Sequence, residues 1–258
     1  MLGIVIPLKS KAISRDWQVT SDALAATLCS IAQQTSGQYQ AVVVGHDIPE
    51  GFAERFKHIQ FATVDFAVPN RSAPDFTHKE LIKDKNLKIA RGLQLLSSSP
   101  EIAFWYGLDS DDLLADDFVE TVLTEAKGRA GLIIDGGFIV YQRANRVIPI
   151  DNLSLYCGST SVVAREYILI PQELSVEGLI GVPWSRYPHM QIAEFFKTEL
   201  KLPYANLKKP LLAYVLGSGD NISDKWRDSP WKALKAFLKP YLKGRKIGAS
   251  FKAKFALK

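Results

Sequence analysis

The chain has 258 residues, 47% hydrophobic and 23% charged, enough to bury the core of one large domain or two small ones without disulfide staples. This balance excludes disorder, collagen-like sequence and coiled coil, and no apolar run reaches the ~20 residues that cross a bilayer. The net charge of +5 is unevenly placed: Lys225 to Lys258 holds 11 Lys and Arg against the single acid Asp228, whereas residues 1–224 sum to −5. An acidic body carrying a basic extension gives no reason to expect a nucleic-acid partner.

Gly3–Leu8 (GIVIPL) is an apolar, partly β-branched run that reads as a strand buried on both faces. It lacks the basic flank and cleavage site of a signal peptide. Ser21 and Asp22 are N-cap candidates for a helix in which Leu24, Leu28, Ile31 and Ala32 share a face, ending near Gln34–Gly37. Ala41–Gly45 and the weaker Gln60–Phe66 are further strands. Lys85–Leu96 reads as a helix facing inward through Leu87, Ala90, Gly92 and Leu95. Ile102–Leu108 is a strand, Phe118–Ala126 a helix, and Gly131–Tyr141 strand material around a Gly-Gly. Cys29 and Cys157 form no disulfide framework and lack metal-ligand spacing, so the expected compartment is the reducing cytoplasm. Strands alternating with helices predict an α/β layer architecture with a mostly parallel central sheet, whose ligands sit beyond the carboxyl ends of the strands.

Two strand ends are polar: His46 and Asp47 follow the second strand, and Asp109, Asp111 and Asp112 follow Ile102–Leu108. Three carboxylates within four residues repel one another and are costly at a strand end without a cation. In extended chain Asp109 and Asp111 point the same way and could share a divalent ion with a diphosphate, their hard oxygens favouring Mg²⁺ or Mn²⁺. Alternatively, Asp111 or Asp112 caps the following helix. A calcium loop is excluded, because Leu113 and Leu114 occupy its fifth and sixth positions.

These blocks resemble a known family. LDSDDLLADDFVE (Leu108–Glu120) is similar to the LDADDxxxPxxLE segment of family-2-like glycosyltransferases of the GT-A fold. IVIPLKS resembles their first strand, LAATLCSIAQQT (Leu24–Thr35) their LxxTLxSLxxQT helix, and AVVVGHD their second strand. A weaker similarity runs through Gly131–Val140 and SLYCGSTSVVAREY (Ser154–Tyr167). The resemblance implies a GT-A-type, Rossmann-like mixed sheet, mostly parallel and flanked by helices, over residues 1–216. Residues 217–258 remain as a basic amphipathic extension. It also implies a nucleotide-sugar donor, with Asp109 and Asp111 at the DxD positions and Asp112 beside them in the donor site. Asp47 matches an acidic residue near the nucleobase, although HDIP (His46–Pro49) replaces the usual Asp-Gly-Ser turn. A simple turn aspartate is the alternative there. Lys85 and Lys88, one turn apart, could face the diphosphate, a solvated helix face being the alternative. Lys85-Asn86 stands where the family often has Arg-Asn, keeping the charge and losing the guanidinium fork.

The family's late acidic pair has no counterpart. The comparable point is Tyr187, Pro188 and His189, opening a helix over Met190–Leu200, with Pro188 suited to its first turn. His189 is a candidate general base for the acceptor hydroxyl or a third metal ligand, and an ordinary polar residue at a helix start is the alternative. In the extension, Trp231, Leu234, Phe237, Leu238, Tyr241 and Leu242 recur at helical spacing, interleaved with Lys232, Lys235, Lys239 and Lys243. That pattern suits an anionic inner membrane surface, a helix packed on the domain, or a solubilising tail.

The expectation is a metal-dependent glycosyltransferase, cytoplasmic or peripheral at the inner membrane surface. It moves a sugar from a nucleotide-diphosphate donor to a glycan or lipid-linked acceptor. A nucleotidyltransferase is the enzymatic rival, but the loop Lys9–Ala12 (KSKA) lacks its phosphate-cradling glycines. A catalytically degenerate binding subunit is the non-enzymatic rival.

Overall fold

Every residue of β1 (Leu2–Pro7) is buried, because neighbouring strands flank it and helices cover both its faces. The computed structural model describes residues 1–216 and 230–257, with 230–236 as backbone only. From β1 the chain runs through α1 (Trp17–Ala32), β2 (Tyr39–Gly45), α2 (Phe52–Arg55), β3 (Gln60–Thr63), α3 (His78–Leu96) and β4 (Phe104–Gly107). It continues through β5 (Leu113–Leu114), α4 (Phe118–Ala126), β6 (Gly131–Ile134), β7 (Gly137–Tyr141), β8 (Arg146–Ile150) and β9 (Ser161–Ala164). Then come α5 (Pro183–Arg186), α6 (Ile192–Glu194), a π-helical turn at Phe195–Leu200, β10 (Tyr204–Leu207), β11 (Leu212–Leu216), α7 (Pro230–Lys243), β12 (Arg245–Lys246) and α8 (Ala249–Lys254).

The main sheet has the order β10-β6-β9-β4-β1-β2-β3. Its pairs are parallel except at β9, which runs against both β4 and β6. This is the mixed, mostly parallel sheet flanked by helices that the alternating elements predict. Alternation within β1 builds two core layers. Ile4 and Ile6 pack with Leu24, Leu28 and Ile31 of α1 on one face. Val5 packs with Ile89 and Leu93 of α3 on the other. Burial of each such aliphatic side chain contributes ~1.5–3 kcal/mol. From β1 the chain proceeds to β2 and β3 on one side and returns to β4 on the other. The crevice where strand order reverses therefore opens above the carboxyl ends of β1 and β4.

A second sheet, β12-β8-β7-β11-β5, leaves the first at Asp135–Gly137. There the amides of Asp135 and Gly136 both donate to the Leu207 carbonyl, at 2.9 and 2.8 Å. A Cβ on Gly136 would lie 2.1 Å from the Lys208 carbonyl oxygen, so only glycine permits this crossing. The Gly-Gly within the predicted strand material is where one strand becomes two.

Two helices begin earlier than their hydrophobic periodicity indicates. Asp16, not Ser21 or Asp22, caps α1: its carboxylate accepts from the Val19 amide at 3.2 Å, while Ser21 is buried inside the helix and donates to the Trp17 carbonyl. In α3 the residues before Lys85 are His78, Lys79, Glu80, Lys83 and Asp84 around Leu81 and Ile82, and Ile82 is 51% exposed, so the first turns show no inward apolar stripe. The turn at Met190 is 3₁₀ (His189–Gln191) before α6 begins, rather than one regular helix.

The C-terminal segment returns to the body. β12 pairs with β8, and the Phe251 and Phe255 rings of α8 stack 4.7 Å apart and meet Phe138 edge-on. Residues 217–229 and the side chains of Trp231, Lys232, Leu234 and Lys235, part of the predicted amphipathic pattern, lie outside the described residues. Among the described residues no helix is long and apolar enough to cross a membrane.

α3 lies on β1 through Gly92, where an added Cβ would come 2.3 Å from Val5 Cγ1. Gly92→Ala is therefore expected to cost about 1–3 kcal/mol through overpacking, measured by urea unfolding. Adding Val5→Ala to the same chain should recover part of the loss.

Candidate active site

Beyond β4 the chain turns. The Asp112 amide donates to the Asp109 carbonyl at 3.1 Å, closing a turn over Asp109–Asp112. The two carboxylates predicted to align in extended chain are thus set by turn geometry instead. The turn is held from below by the segment that enters β9. Antiparallel register pairs Tyr106 with Val162, and continuing it brings Asp109 opposite Ser159. The Ser159 hydroxyl accepts from the Asp109 amide at 2.8 Å and donates to Asp112 Oδ2 at 2.6 Å. The Cys157 thiol donates to the same oxygen at 3.1 Å, and Tyr106 OH donates to the Ser159 carbonyl at 2.6 Å.

Asp112 is fully buried in this network. Burial, then the charges of Asp111 and Asp109, push its carboxyl well above the usual carboxylate range, against the hydrogen bonds of Ser159 and Cys157. Its place is that of a positioning residue, not of a donor contact. Cys157, expected only to be unpaired, is buried and spends its thiol here. Burial pushes that thiol up as well.

Asp109 and Asp111 remain at the crevice. The Asp109 carboxylate pairs with the Lys85 ammonium, which is 40% exposed at the side chain. Desolvation pulls the Lys85 pKa down, but the charge of Asp109 and its hydrogen bond outweigh this and leave it raised. Gly158 passes directly over the pair, since a Cβ there would lie 2.9 Å from Asp109 Oδ2 and 3.0 Å from Lys85 Nζ. Burial and the adjacent Asp109 charge raise Asp111 to about 6, with Lys9 and Lys85 pulling the other way. Lys9, in the loop after β1, is thus within electrostatic reach of Asp111. Its loop is basic in sequence, but nothing local ties it to residue 111.

Lys88 does not reach the crevice. Its side chain is 1% exposed and donates to Asp84 at 2.6 Å within the same helix. Desolvation lowers its pKa, opposed by Asp84 and then Asp47. Asp84 Oδ1 in turn lies 3.6 Å from His46 Nδ1, while His46 Nε2 meets the Phe66 carbonyl at 2.8 Å. Asp47 accepts from the Lys11 amide at 2.8 Å, tying the loop after β1 to the end of β2. A cavity of about 240 Å³ borders Asp84, lined also by Phe66, Pro69, Phe76 and Leu87.

His189 joins the group from the far side. Burial lowers its pKa, a hydrogen bond to the Leu155 backbone raises it, and Lys85 and Asp109 act on it with opposite signs. It is therefore neutral at pH 7, and its Nε2 is buried without a hydrogen-bond partner. Asp109, Asp111, Lys85, Lys9 and His189 thus share one electrostatic environment above β1 and β4; Asp112 is coupled to it from a fully buried position, and Lys88 is paired with Asp84 instead.

Among the described residues no three His, Cys, Asp or Glu side chains converge as a metal cage. The hard carboxylate oxygens of Asp109 and Asp111 on one turn are of the type that a divalent cation of the Mg²⁺ or Mn²⁺ kind prefers.

The fold recurs in solved structures. S. aureus TarS 1-349 in complex with UDP-GlcNAc matches at 12% identity and a TM-score of 0.51, over 84% of this chain and 58% of that one. The same fragment with UDP matches at 13% identity and 0.48, over 85% and 61%. A Desulfovibrio desulfuricans G20 protein, provisionally assigned as a nucleotide-diphospho-sugar transferase, matches at 12% and 0.42, over 92% and 95%. The chain spans about three fifths of the TarS fragment's length. No family model and no curated protein matches the sequence. At these identities the likeness is one of fold, and the fold is the GT-A-type mixed sheet.

Asp111 supplies a test. The native state holds its proton up to about pH 6, whereas the unfolded chain releases it near 3.8. Between those values the folded protein binds more protons, so this group's stabilisation is present at low pH and lost as pH rises through the window. Asp111→Asn should raise the melting temperature of the ligand-free protein at pH 7.5 by a few degrees, at about 2–4 °C per kcal/mol for chains near this size. The gain should vanish near pH 4. An unchanged melting curve at pH 7.5 counts against the strain.

Proposed function

We propose that the protein is a glycosyltransferase that moves a sugar from a nucleotide-diphosphate donor to a hydroxyl of a glycan or lipid-linked acceptor in the cytoplasm. The observation that carries this reading is the convergence of Lys9, Lys85, Asp109, Asp111 and His189 at the strand-order reversal. The fold is one shared with a TarS fragment that binds UDP-GlcNAc.

The chemistry follows from what each group can do. In the free protein Lys85 neutralises Asp109. With a donor bound, Lys85 and Lys9 are mobile point charges suited to the diphosphate oxygens, offsetting the negative charge that grows as the leaving group departs. Asp109 and Asp111 would hold Mg²⁺ or Mn²⁺ together with that diphosphate, the cation supplying further stabilisation of the same charge when bound. Asp47, tethered to the β1 loop, borders the nucleoside end of the crevice. Asp112, with Ser159 and Cys157, keeps the turn from relaxing, and Gly158, lacking a Cβ, lets the chain pass over the Asp109–Lys85 pair. His189 is neutral at pH 7 and carries a free lone pair. It takes the proton from the acceptor hydroxyl as that oxygen attacks the anomeric carbon.

Isothermal titration with UDP- and GDP-sugars, with and without Mn²⁺, tests the reading. One nucleotide sugar should bind in a Mn²⁺-dependent manner, and Asp109→Asn should abolish the metal dependence. Preferential binding of a nucleoside triphosphate would point to a nucleotidyltransferase, and silence across the panel to a binding subunit. For His189, the variant His189→Gln should lower kcat about 10²–10⁴-fold with the acidic limb of the pH profile removed and donor affinity intact. Loss of Mn²⁺-dependent donor binding instead would make His189 a metal ligand.

A further inference from the structure

Phe237, Leu238, Tyr241 and Leu242 of α7 are 64%, 39%, 48% and 78% exposed. At 100° per residue these four side chains fall within an arc of about 140°. Lys239 and Lys243 occupy the adjoining sector, and Pro240, beyond them, is buried toward the body. The helix thus turns a narrow side inward against β8 and presents a broad apolar face outward, edged by a lysine row.

That arrangement is held in place. Arg146 Nη1 donates to the Gly244 carbonyl at 2.8 Å, and its guanidinium lies 5.3 Å from the centre of the Tyr241 ring. β12 then joins β8, and α8 seats Phe251 and Phe255 in the core. The chain around the helix end is basic throughout: Arg143, Lys243, Arg245 and Lys246 are exposed, and no Asp or Glu occurs after Asp228. Four large apolar side chains exposed on one helix face are costly in water and are routine at an interface.

We infer that α7 docks in the plane of an anionic lipid surface, its apolar face entering the acyl boundary and its basic edge meeting lipid phosphates. An apolar face beside a lysine row, on a helix whose own sequence holds no Asp or Glu, is complementary to such a surface in both respects. Duplex nucleic acid would use the lysines and leave Phe237 and Leu242 in water. The α8 end of the segment is already packed, so the lipid contact is confined to α7 and β12. This inference rests on α7 alone and stands independently of the transferase reading.

Sedimentation of the full chain with vesicles tests it. The protein should pellet with vesicles containing about one third phosphatidylglycerol, not with pure phosphatidylcholine, and high salt should weaken the binding. Phe237→Glu with Leu242→Glu, and separately Lys239→Glu with Lys243→Glu, should each weaken binding roughly tenfold or more, with the melting temperature of the parent. Absence of pelleting with anionic vesicles, or parent-like pelleting of both double variants, overturns the inference. So does tight binding of a DNA duplex, or self-association lost in Phe237→Glu with Leu242→Glu, when vesicles are not bound.

Discussion

The site depends on one buried contact, the grip of Ser159 and Cys157 on Asp112. At 0% exposure the carboxyl needs hydrogen bonds; a hydroxyl and a thiol supply them to Oδ2, while Oδ1 is buried without a partner. The same Ser159 hydroxyl receives the Asp109 amide, so the side chain that anchors the turn's last carboxylate also orients its first. Reversal of β9 against β4 makes this possible. An antiparallel neighbour starts where β4 ends, which puts the loop before β9 beneath the aspartate turn. A parallel neighbour would start at the other end of the sheet.

Rigidity of that turn has a consequence for charge. Asp109 and Asp111 are held on one turn, and burial, with the Asp109 charge added to it, raises the Asp111 carboxyl to about 6. Lys85 and Lys9 relieve part of this without removing it. Burial favours the protonated form of Asp112, which leaves two carboxylates rather than three at the crevice. A site strained in this way favours a cation or the basic edge of a ligand over water, the usual relation between stability and function at binding sites. On α3 the contrast is between neighbours one turn apart. Lys85 is half-exposed and turned to the crevice, whereas Lys88 is sealed between Asp84 and the sheet.

Part of this was readable from residue order. Apolar β-branched runs ending in polar residues mark parallel strands whatever surrounds them, because such strands must be covered on both faces. Clustered Asp109, Asp111 and Asp112 stand out since like charges in series need a reason. Pro188 before His189 marks a helical start by its fixed φ. The beginnings of α1 and α3 were not readable, because a solvated first turn carries no hydrophobic period, and the cap at Asp16 acts through a single carboxylate.

Amino-acid order alone determined the layered α/β architecture, the acidic turn after the fourth long strand, and the basic amphipathic segment near the C-terminus, since each is a local pattern of polarity. Tertiary structure alone decided which carboxylate turns inward, that Lys88 serves Asp84 while Lys85 serves Asp109, and which face of α7 is left bare. The reason is distance along the chain. Asp112 meets its partners 45 and 47 residues away, and His189 comes from the 3₁₀ turn that follows α5. Such encounters are set by the register of β9 on β4 and by the packing of loops, to which no short stretch of sequence has access.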